Sequence, residues 1–429
     1  MKIIPQLSLF DDNDFEDLGD LERLTAVLGS IPDHKVISKL YSIRGKGRND
    51  WPCTAMWNSF IASFLFNHET VEQLLRELRR NKQLRSICGF APVRRRQRDG
   101  SVRVFYAPSK SAYSKFLKNL EQCSDELQET FGSLVQYMYD NLDGFGQSLM
   151  IDGKAIQSYA KKLSGKPGRQ GEHDADWCQK TYTVSNPVNG ETVTKKLKWF
   201  GFRLHLIADA TYEMPVSFRV TKASVSEKTE AKGMVDALAD SHPDYLKVCR
   251  EFMADKGYDS SSFLSQLEKH GILPIIDIRN MWKDKEATHQ YRDTDLVYNY
   301  KGDVFYVKED GEQIPLQYKG YDKSTDSQRF GFHPEYHDKR IFRIRRDEDP
   351  RIFTQVARSS KKWKRLYRKR TGVERINGRI DRDYQFERHT IRGLSKMSMF
   401  ITVTFIVYLG LAKSKIEAGQ TKGLARMYA

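Results

Sequence analysis

The chain has 429 residues and a net charge of +15, with 39% hydrophobic and 12% aromatic residues. This length suits two or three domains with a sizeable core, and the composition excludes an intrinsically disordered chain. The positive charge favours a polyanionic partner. Five cysteines without a CxxC pair argue against a zinc module or a disulfide framework, and they predict a reducing, cytoplasmic location.

Residues 1–140 are predicted to be mostly helical, because amphipathic and apolar segments follow one another there. An arginine-rich arm interrupts them, and its Asp99-Gly100 pair predicts the turn of a β-hairpin. Such an arm is suited to entering a DNA groove or following phosphates, and a mobile surface loop is an equally good interpretation. The candidate DNA-binding residues on the arm are Arg94, Arg95 and Arg96.

Residues 147–280 change in character, because short apolar segments alternate with helical patterns. The order of strand, two strands, helix, strand, helix and strand predicts an α/β fold with a mixed sheet. Two of these strands are predicted to end at Asp152 and Asp255. The polar stretch 161–198 is predicted to be a loop or flexible insertion. Residues 281–355 contain short alternating segments between Gly, Asp and Lys clusters, which predict an all-β insertion.

A basic segment follows at residues 361–397, and seven of its first ten residues are Lys or Arg. On a continuous α-helix, Tyr367, Arg370 and Glu374 would share one face. Such a surface attracts phosphates, while its carboxylate can hold a hard cation. The alternative is a solvated basic helix in which Glu374 only pairs with Arg370. The apolar run 397–412 is too short to span a bilayer and is predicted to be a buried core helix.

Three carboxylates stand out from this pattern. Asp152 and Asp255 each follow an apolar strand and precede a Gly/Lys pair, in DGK and DKG. Strand ends in an α/β sheet are where sites gather. Together with Glu374 they would suffice to hold two divalent cations against a phosphodiester. Taken singly, each aspartate is more typical of a turn or a helix cap, as Asp209 and Asp277 at other strand ends illustrate.

The run Tyr367-x-x-Arg370-x-x-x-Glu374, after DGK at 152 and ADKGYDS at 254–260, resembles bacterial insertion-sequence transposases of the DDE type. More narrowly, it resembles the cut-and-paste branch that carries a Y-x2-R-x3-E-x6-K signature. The resemblance covers about residues 147–412, and the helical N-terminal region more weakly.

The resemblance implies a ribonuclease H-like catalytic core with a mixed sheet, formed by residues 147–280 and 356–415. A β-rich insertion at 281–355 would interrupt this core. Residues 1–140 would form a mostly helical domain that binds transposon ends. Two Mg²⁺ or Mn²⁺ ions would be held by Asp152, Asp255 and Glu374.

The resemblance further implies that Tyr367 and Arg370 contact DNA at the transposon end. Seven residues after Glu374, where the family has a basic residue, this chain has Asp381. The basic role is therefore transferred to Arg382, and Asp381 is expected to pair with a nearby arginine.

The function implied is that of a DNA transposase. It would bind terminal inverted repeats, cleave phosphodiester bonds at the ends of the element and join those ends to target DNA. Double-stranded DNA would be the partner, with a homodimer in the synaptic complex and no membrane. Two alternatives stay open: a nuclease of the same fold that does not join strands, and a catalytically silent DNA-binding protein derived from a transposase.

Overall fold

A computed structural model describes residues 19–46, 50–162, 171–185 and 192–427. The described part before residue 148 is mostly helical, as predicted, and residues 1–18 of the predicted helical region lie outside the described residues. The helices are α1 (Asp20–Ser30), α2 (His34–Arg44), α3 (Cys53–Leu65), α4 (Val71–Arg80), α5 (Lys82–Cys88), α6 (Lys110–Leu120) and α7 (Ser124–Asn141). Helix α4 starts at a capping box between Thr70 and Gln73.

The arginine-rich arm is a β-hairpin, as predicted. Strands β1 (Val93–Arg96) and β2 (Val102–Phe105) pair in antiparallel fashion. Gly100 in the turn has a φ of 85°, which glycine adopts without the steric cost that a side chain would bring.

A mixed sheet lies at the centre of the protein and bears out the predicted ribonuclease H-like fold class. Its strands are β3 (Ser148–Gln157), β4 (Asp176–Ser185), β5 (Thr192–Asp209), β6 (Met214–Lys222), β7 (Glu251–Ala254) and β8 (Leu273–Ile276). Their spatial order is β6-β5-β3-β7-β8, and β4 pairs with the first half of β5. Strands β6, β5 and β3 are antiparallel neighbours, whereas β7 and β8 run parallel to β3.

Two strand predictions in this sheet were wrong. Strand β3 does not end at Asp152 but continues to Gln157, because its second half pairs with β5. The stretch 161–198 contains β4 and the start of β5, while its residues 163–170 and 186–191 lie outside the described residues. The described side chains of β4 and of the start of β5 are mostly exposed, and several of them are lysines, so these segments lack the apolar alternation that reveals a half-buried strand.

Helices cover the sheet. They are α8 (Glu227–Ser241), α9 (Pro243–Val248), α10 (Ser261–Lys269), α11 (Lys361–Arg368), α12 (Thr371–Asp383) and α13 (Leu394–Glu417). The basic segment is therefore two helices and not the continuous helix that was predicted. At the break, Lys369 donates to Ser148 Oγ at 2.9 Å and contacts Glu251 Oε1 at 3.1 Å. These contacts tie the junction of α11 and α12 to the first residues of β3 and β7.

The predicted all-β insertion forms two small antiparallel sheets. One has the order β12-β11-β10-β9 and the other β13-β14-β15. The strands are β9 (His289–Gln290), β10 (Leu296–Tyr298), β11 (Val304–Val307), β12 (Gln313–Pro315), β13 (Gln317–Asp322), β14 (Ser327–Gly331) and β15 (Ile341–Arg345). The insertion has its own hydrophobic cluster, in which Phe330 and Phe353 are buried.

Helix α13 is a buried core helix, as predicted. By length and composition it is the one helix among the described residues that could cross a membrane, yet most of its apolar stretch is buried inside the protein. It packs against α1, α7 and β6, and Ile401 and Phe405 are fully buried. The N-terminal helices and the central sheet consequently share one hydrophobic core that extends from Leu21 to Met427.

Candidate active site

The two aspartates meet where one strand of a parallel pair stops. Strands β3 and β7 pair only from Ser148 to Met150, and β7 ends at Ala254, so Asp255 follows its last residue. The Asp255 carboxylate accepts a hydrogen bond from the Gly257 N–H at 2.6 Å and caps a 3-10 turn over 256–258. Strand β3 continues past this end and presents Asp152 beside it.

The environment of Asp152 disfavours its charge. Its pKa is raised to about 6, chiefly by burial; Lys180 opposes this shift, and the neighbouring Asp255 carboxylate contributes to it. The Gly153 N–H and Arg370 act in the opposite direction. This effect of Asp255 on the pKa of Asp152 indicates that the two carboxylates lie close together.

Helix α12 lies directly on β3 and brings a further polar side chain to Asp152. A Cβ at Gly372 would lie only 2.9 Å from Met150 Cε, so the first turn of α12 closely approaches the strand. One turn after Glu374, Asn377 Nδ2 donates to Asp152 Oδ2 at 3.3 Å. The buried Asn377 Oδ1 has no hydrogen-bond partner among the described residues. Asn377 was not among the predicted site residues, although its spacing of three from Glu374 indicates a shared helix face.

Tyr367, Arg370 and Glu374 are in contact despite the break between the helices. Arg370 donates to Glu374 Oε1 at 2.6 Å, and its guanidinium lies 5.6 Å from the centre of the Tyr367 ring. Tyr367 stacks on Trp363 with ring centres 4.4 Å apart. Burial raises the pKa of Tyr367 to about 12, against the opposing charge of Arg370. Glu374 is 54% exposed and is bound to Arg370, as the alternative interpretation of a solvated basic helix expected.

The three predicted acids therefore divide into a close pair and a third that is engaged elsewhere. In the described ranges, no three His, Cys, Asp or Glu side chains converge into a set able to hold a metal ion. The chemistry of the donors nevertheless fits a hard cation, because carboxylates are the ligands that Mg²⁺ prefers. The unpartnered Asn377 Oδ1 beside Asp152 is a suitable acceptor for a cation-bound water.

The position of Asp381 differs from the sequence-based expectation. Its partner is not an arginine but Lys154, whose Nζ lies 2.5 Å from Asp381 Oδ2. Lys154 is two residues after Asp152 on β3, so the two side chains point to the same face of the sheet. Arg382, the candidate for the basic role, is 76% exposed and pairs with its neighbour Asp383. Lys154 is therefore a nearly buried cation beside the site. It was not among the predicted site residues.

The basic side chains of α11 and the arm face solvent. Trp363 and Leu366 are buried and anchor α11 to the protein. The exposed residues of α11 are Lys361, Lys362, Lys364, Arg365 and Arg368.

On the arm, Arg94 and Arg96 are exposed, whereas Arg95 pairs with Asp50 at 2.6 Å and lies over the Phe105 ring. Two of the three predicted arm arginines are thus presented outwards.

Two family models match the chain. The transposase DDE domain matches residues 151–409, more than half of the chain, and a transposase domain (DUF772) matches residues 13–102. No curated protein matches the sequence.

The solved structures that are similar to the chain include two transposase complexes of low sequence identity. One is a piggyBac transposase synaptic complex with hairpin DNA, with 8% identity, a TM-score of 0.38, and coverage of 96% of this chain and 79% of that chain. The other is a pre-cleavage Mos1 transpososome, with 12% identity, a TM-score of 0.17, and coverage of 54% and 60%. The match of the DDE domain over most of the sheet and α12 identifies the chain as a member of the DDE transposase family.

Proposed function

We propose that this transposase belongs to the cut-and-paste branch of bacterial insertion-sequence enzymes. It binds the terminal inverted repeats of its element, cleaves phosphodiester bonds at the ends and joins the freed ends to target DNA. The observation that carries the proposal is the packing of α12 on β3. This packing places the helix of Glu374 against the strand of Asp152, beside Asp255 and at the end of the exposed basic helix α11.

In this proposal Asp152, Asp255 and Glu374 hold two Mg²⁺ or Mn²⁺ ions. Such ions activate a water or a 3′-hydroxyl and stabilise the leaving oxygen of the phosphodiester. Asp152 would serve as a ligand in its ionised form, which burial disfavours in the metal-free protein and which a bound cation would favour. Glu374 serves once it has left Arg370, whose guanidinium is then available to a DNA phosphate.

DNA is proposed to contact three basic regions. Arg370 and Tyr367 contact the transposon end near the site, and the exposed lysines and arginines of α11 continue this surface. Arg94 and Arg96 on the arm extend it into residues 1–140, the proposed end-binding domain, with Arg95 in a supporting position. Arg382 is retained as a more peripheral contact, because its side chain is exposed.

The remaining parts of the proposal concern assembly, domains and location. Two transposon ends must be held together, so a homodimer on DNA is proposed for the synaptic complex. The catalytic core comprises residues 147–280 and 356–415, with the insertion at 281–355. All five cysteines are free, which is consistent with a cytoplasmic enzyme on bacterial DNA.

The test is strand cleavage on a labelled duplex that carries one end of the element, in the presence of MgCl₂. Asp152→Asn, Asp255→Asn and Glu374→Gln each remove one charge at nearly constant shape. We expect each variant to lose cleavage while it keeps its affinity for the duplex. Asp240→Asn, an exposed change on α8, is the matched control and should cleave as the wild type does. Cleavage by all three site variants would overturn the proposed triad.

A second assay separates the alternatives. Precleaved ends are incubated with a supercoiled plasmid and Mg²⁺, and joined products are counted by sequencing. Cleavage without any joining would identify a nuclease of the same fold. Tight, metal-independent binding without cleavage would identify a catalytically silent DNA-binding protein.

A further inference from the structure

A fourth carboxylate, that of Glu227 on α8, lies against the glycines of the two aspartate motifs. Glu227 is the first residue of α8, after the N-cap Ser226. A Cβ at Gly153 would lie 2.6 Å from Glu227 Oε1, and a Cβ at Gly257 would lie 3.3 Å from Glu227 Oε2. The glycines of DGK and DKG therefore leave the space that the Glu227 carboxylate fills.

The same geometry brings Glu227 close to Asp255. The Gly257 Cβ position is 2.6 Å from Asp255 Oδ1 and 3.3 Å from Glu227 Oε2, so these two oxygens are at most about 6 Å apart. An ion that is bound to one carboxylate through oxygen at about 2.1 Å and carries a shell of waters fits between oxygens at such a separation. Direct contact of both carboxylates with one ion is not required.

Two cations balance the charge of Glu227 on its other side. Its Oε1 lies 3.1 Å from Lys180 Nζ on β4 and 3.2 Å from an Arg203 nitrogen on β5. The Glu227 side chain is 13% exposed and that of Arg203 is 6% exposed. Both of these contacts are made by Oε1, whereas Oε2 is the oxygen that lies next to Gly257 and Asp255.

A buried hydroxyl without a partner belongs to the turn that follows Asp255 and packs against α8. Tyr258 is fully buried, and its hydroxyl has no hydrogen-bond partner in the residues that the structure describes. Burial raises the pKa of Tyr258, and the charges of Asp152, Glu227 and Asp255 act in the same direction. A buried polar group without a partner is costly, so such a group usually indicates an absent water or ion.

We propose that Glu227 is a positioning residue of the divalent-cation site, and that its Oε2 and the Tyr258 hydroxyl bind water ligands of the ion held by Asp255. The inference rests on the proposed metal-dependent function. Mg²⁺ and Mn²⁺ retain several waters in such sites, and the groups that hold those waters fix the orientation of the ion. The sequence feature that corresponds to this arrangement is the glycine one residue after Asp152 and two residues after Asp255.

The test is Mn²⁺ binding to the full-length protein without DNA, measured by isothermal titration calorimetry with MnCl₂. Glu227→Gln removes the charge at constant shape, and we expect it to raise the Kd for Mn²⁺ by roughly tenfold or more. Glu230→Gln is the matched control, because Glu230 lies one turn further along α8 and pairs with Arg219. Its Kd should equal that of the wild type.

Tyr258→Phe is a second, independent variant, which tests the inference even if Glu227→Gln does not fold. It removes a hydroxyl that has no partner in the metal-free protein, so the metal-free Tm should not fall, whereas Mn²⁺ binding should weaken. If Glu227→Gln and Tyr258→Phe bind Mn²⁺ as the wild type does while Asp255→Asn does not bind it, the inference is overturned and the proposed function stands. If the wild type binds no more Mn²⁺ than Asp255→Asn, the proposed metal chemistry is overturned together with the inference.

Discussion

The ionised carboxylate of Asp152 carries an energetic cost that can be measured without any substrate. Its pKa is about 6 in the folded protein, against an ordinary value of 3.8. This difference corresponds to at most about 3 kcal/mol of destabilisation near neutral pH. Because the folded pKa lies above the unfolded one, the cost is fully present above about pH 6. It disappears as the pH falls through the unfolded value.

Replacement of Asp152 by asparagine should therefore stabilise the metal-free protein while abolishing cleavage. We expect the free energy of unfolding to increase by about 1–3 kcal/mol at pH 7.5, and by about half of that at pH 5. The hydrogen bond from Asn377 can persist, because the asparagine side chain still offers an oxygen acceptor. The measurement is urea denaturation in EDTA, followed by tryptophan fluorescence.

Two comparisons decide whether the reasoning holds. The exposed change Asp240→Asn should leave the free energy of unfolding unaltered at both pH values. Addition of Mn²⁺ should stabilise the wild type and not Asp152→Asn, because only the charged side chain is a good ligand. A variant that is less stable than the wild type at pH 7.5, or a gain that does not shrink at pH 5, would refute the argument from burial.

Three further predictions concern the surroundings of the site. Glu374→Gln should abolish Mg²⁺-dependent cleavage. It should leave Tm nearly unchanged in a thermal melt, because exposed ion pairs contribute about 0–1 kcal/mol to stability. A large loss of Tm would contradict the exposed pairing. A double-mutant cycle with Lys154→Met and Asp381→Asn should give a coupling energy of about 1–3 kcal/mol in denaturant unfolding; additive effects would mean that the pair contributes nothing. Combined Arg94→Ala and Arg96→Ala should lower the slope of log K against log salt by about 2 in duplex binding, and an unchanged slope would show that the arm does not contact phosphates.

The sequence was sufficient to predict the elements whose local chemistry is unambiguous. The apolar segments before Asp152 and Asp255 are strands, the Asp99-Gly100 pair is a hairpin turn, and the apolar run in α13 is a core helix. Each of these follows from a periodicity or a turn preference that acts within a few residues. Neighbouring elements were not needed to recognise them.

Other features depend on partners distant in the sequence. The end of β3 is set by its pairing with β5, and the break between α11 and α12 coincides with the contacts of Lys369 to two strands. Asp381 is paired with Lys154, which lies 227 positions earlier. Glu227 is an unremarkable acid at a helix start until the fold brings it against two glycines. No spacing rule within a segment contains this information.

The shared core around α13 has a mechanical consequence. The N-terminal helices and the sheet pack together through this helix, so a bound duplex that displaces one must also disturb the packing of the other. The insertion has a separate cluster around Phe330 and Phe353, and the buried ion pair of Arg351 with Asp259 joins it to the core. The spacing between the arm and the acidic residues is thus set by the packing of this shared core.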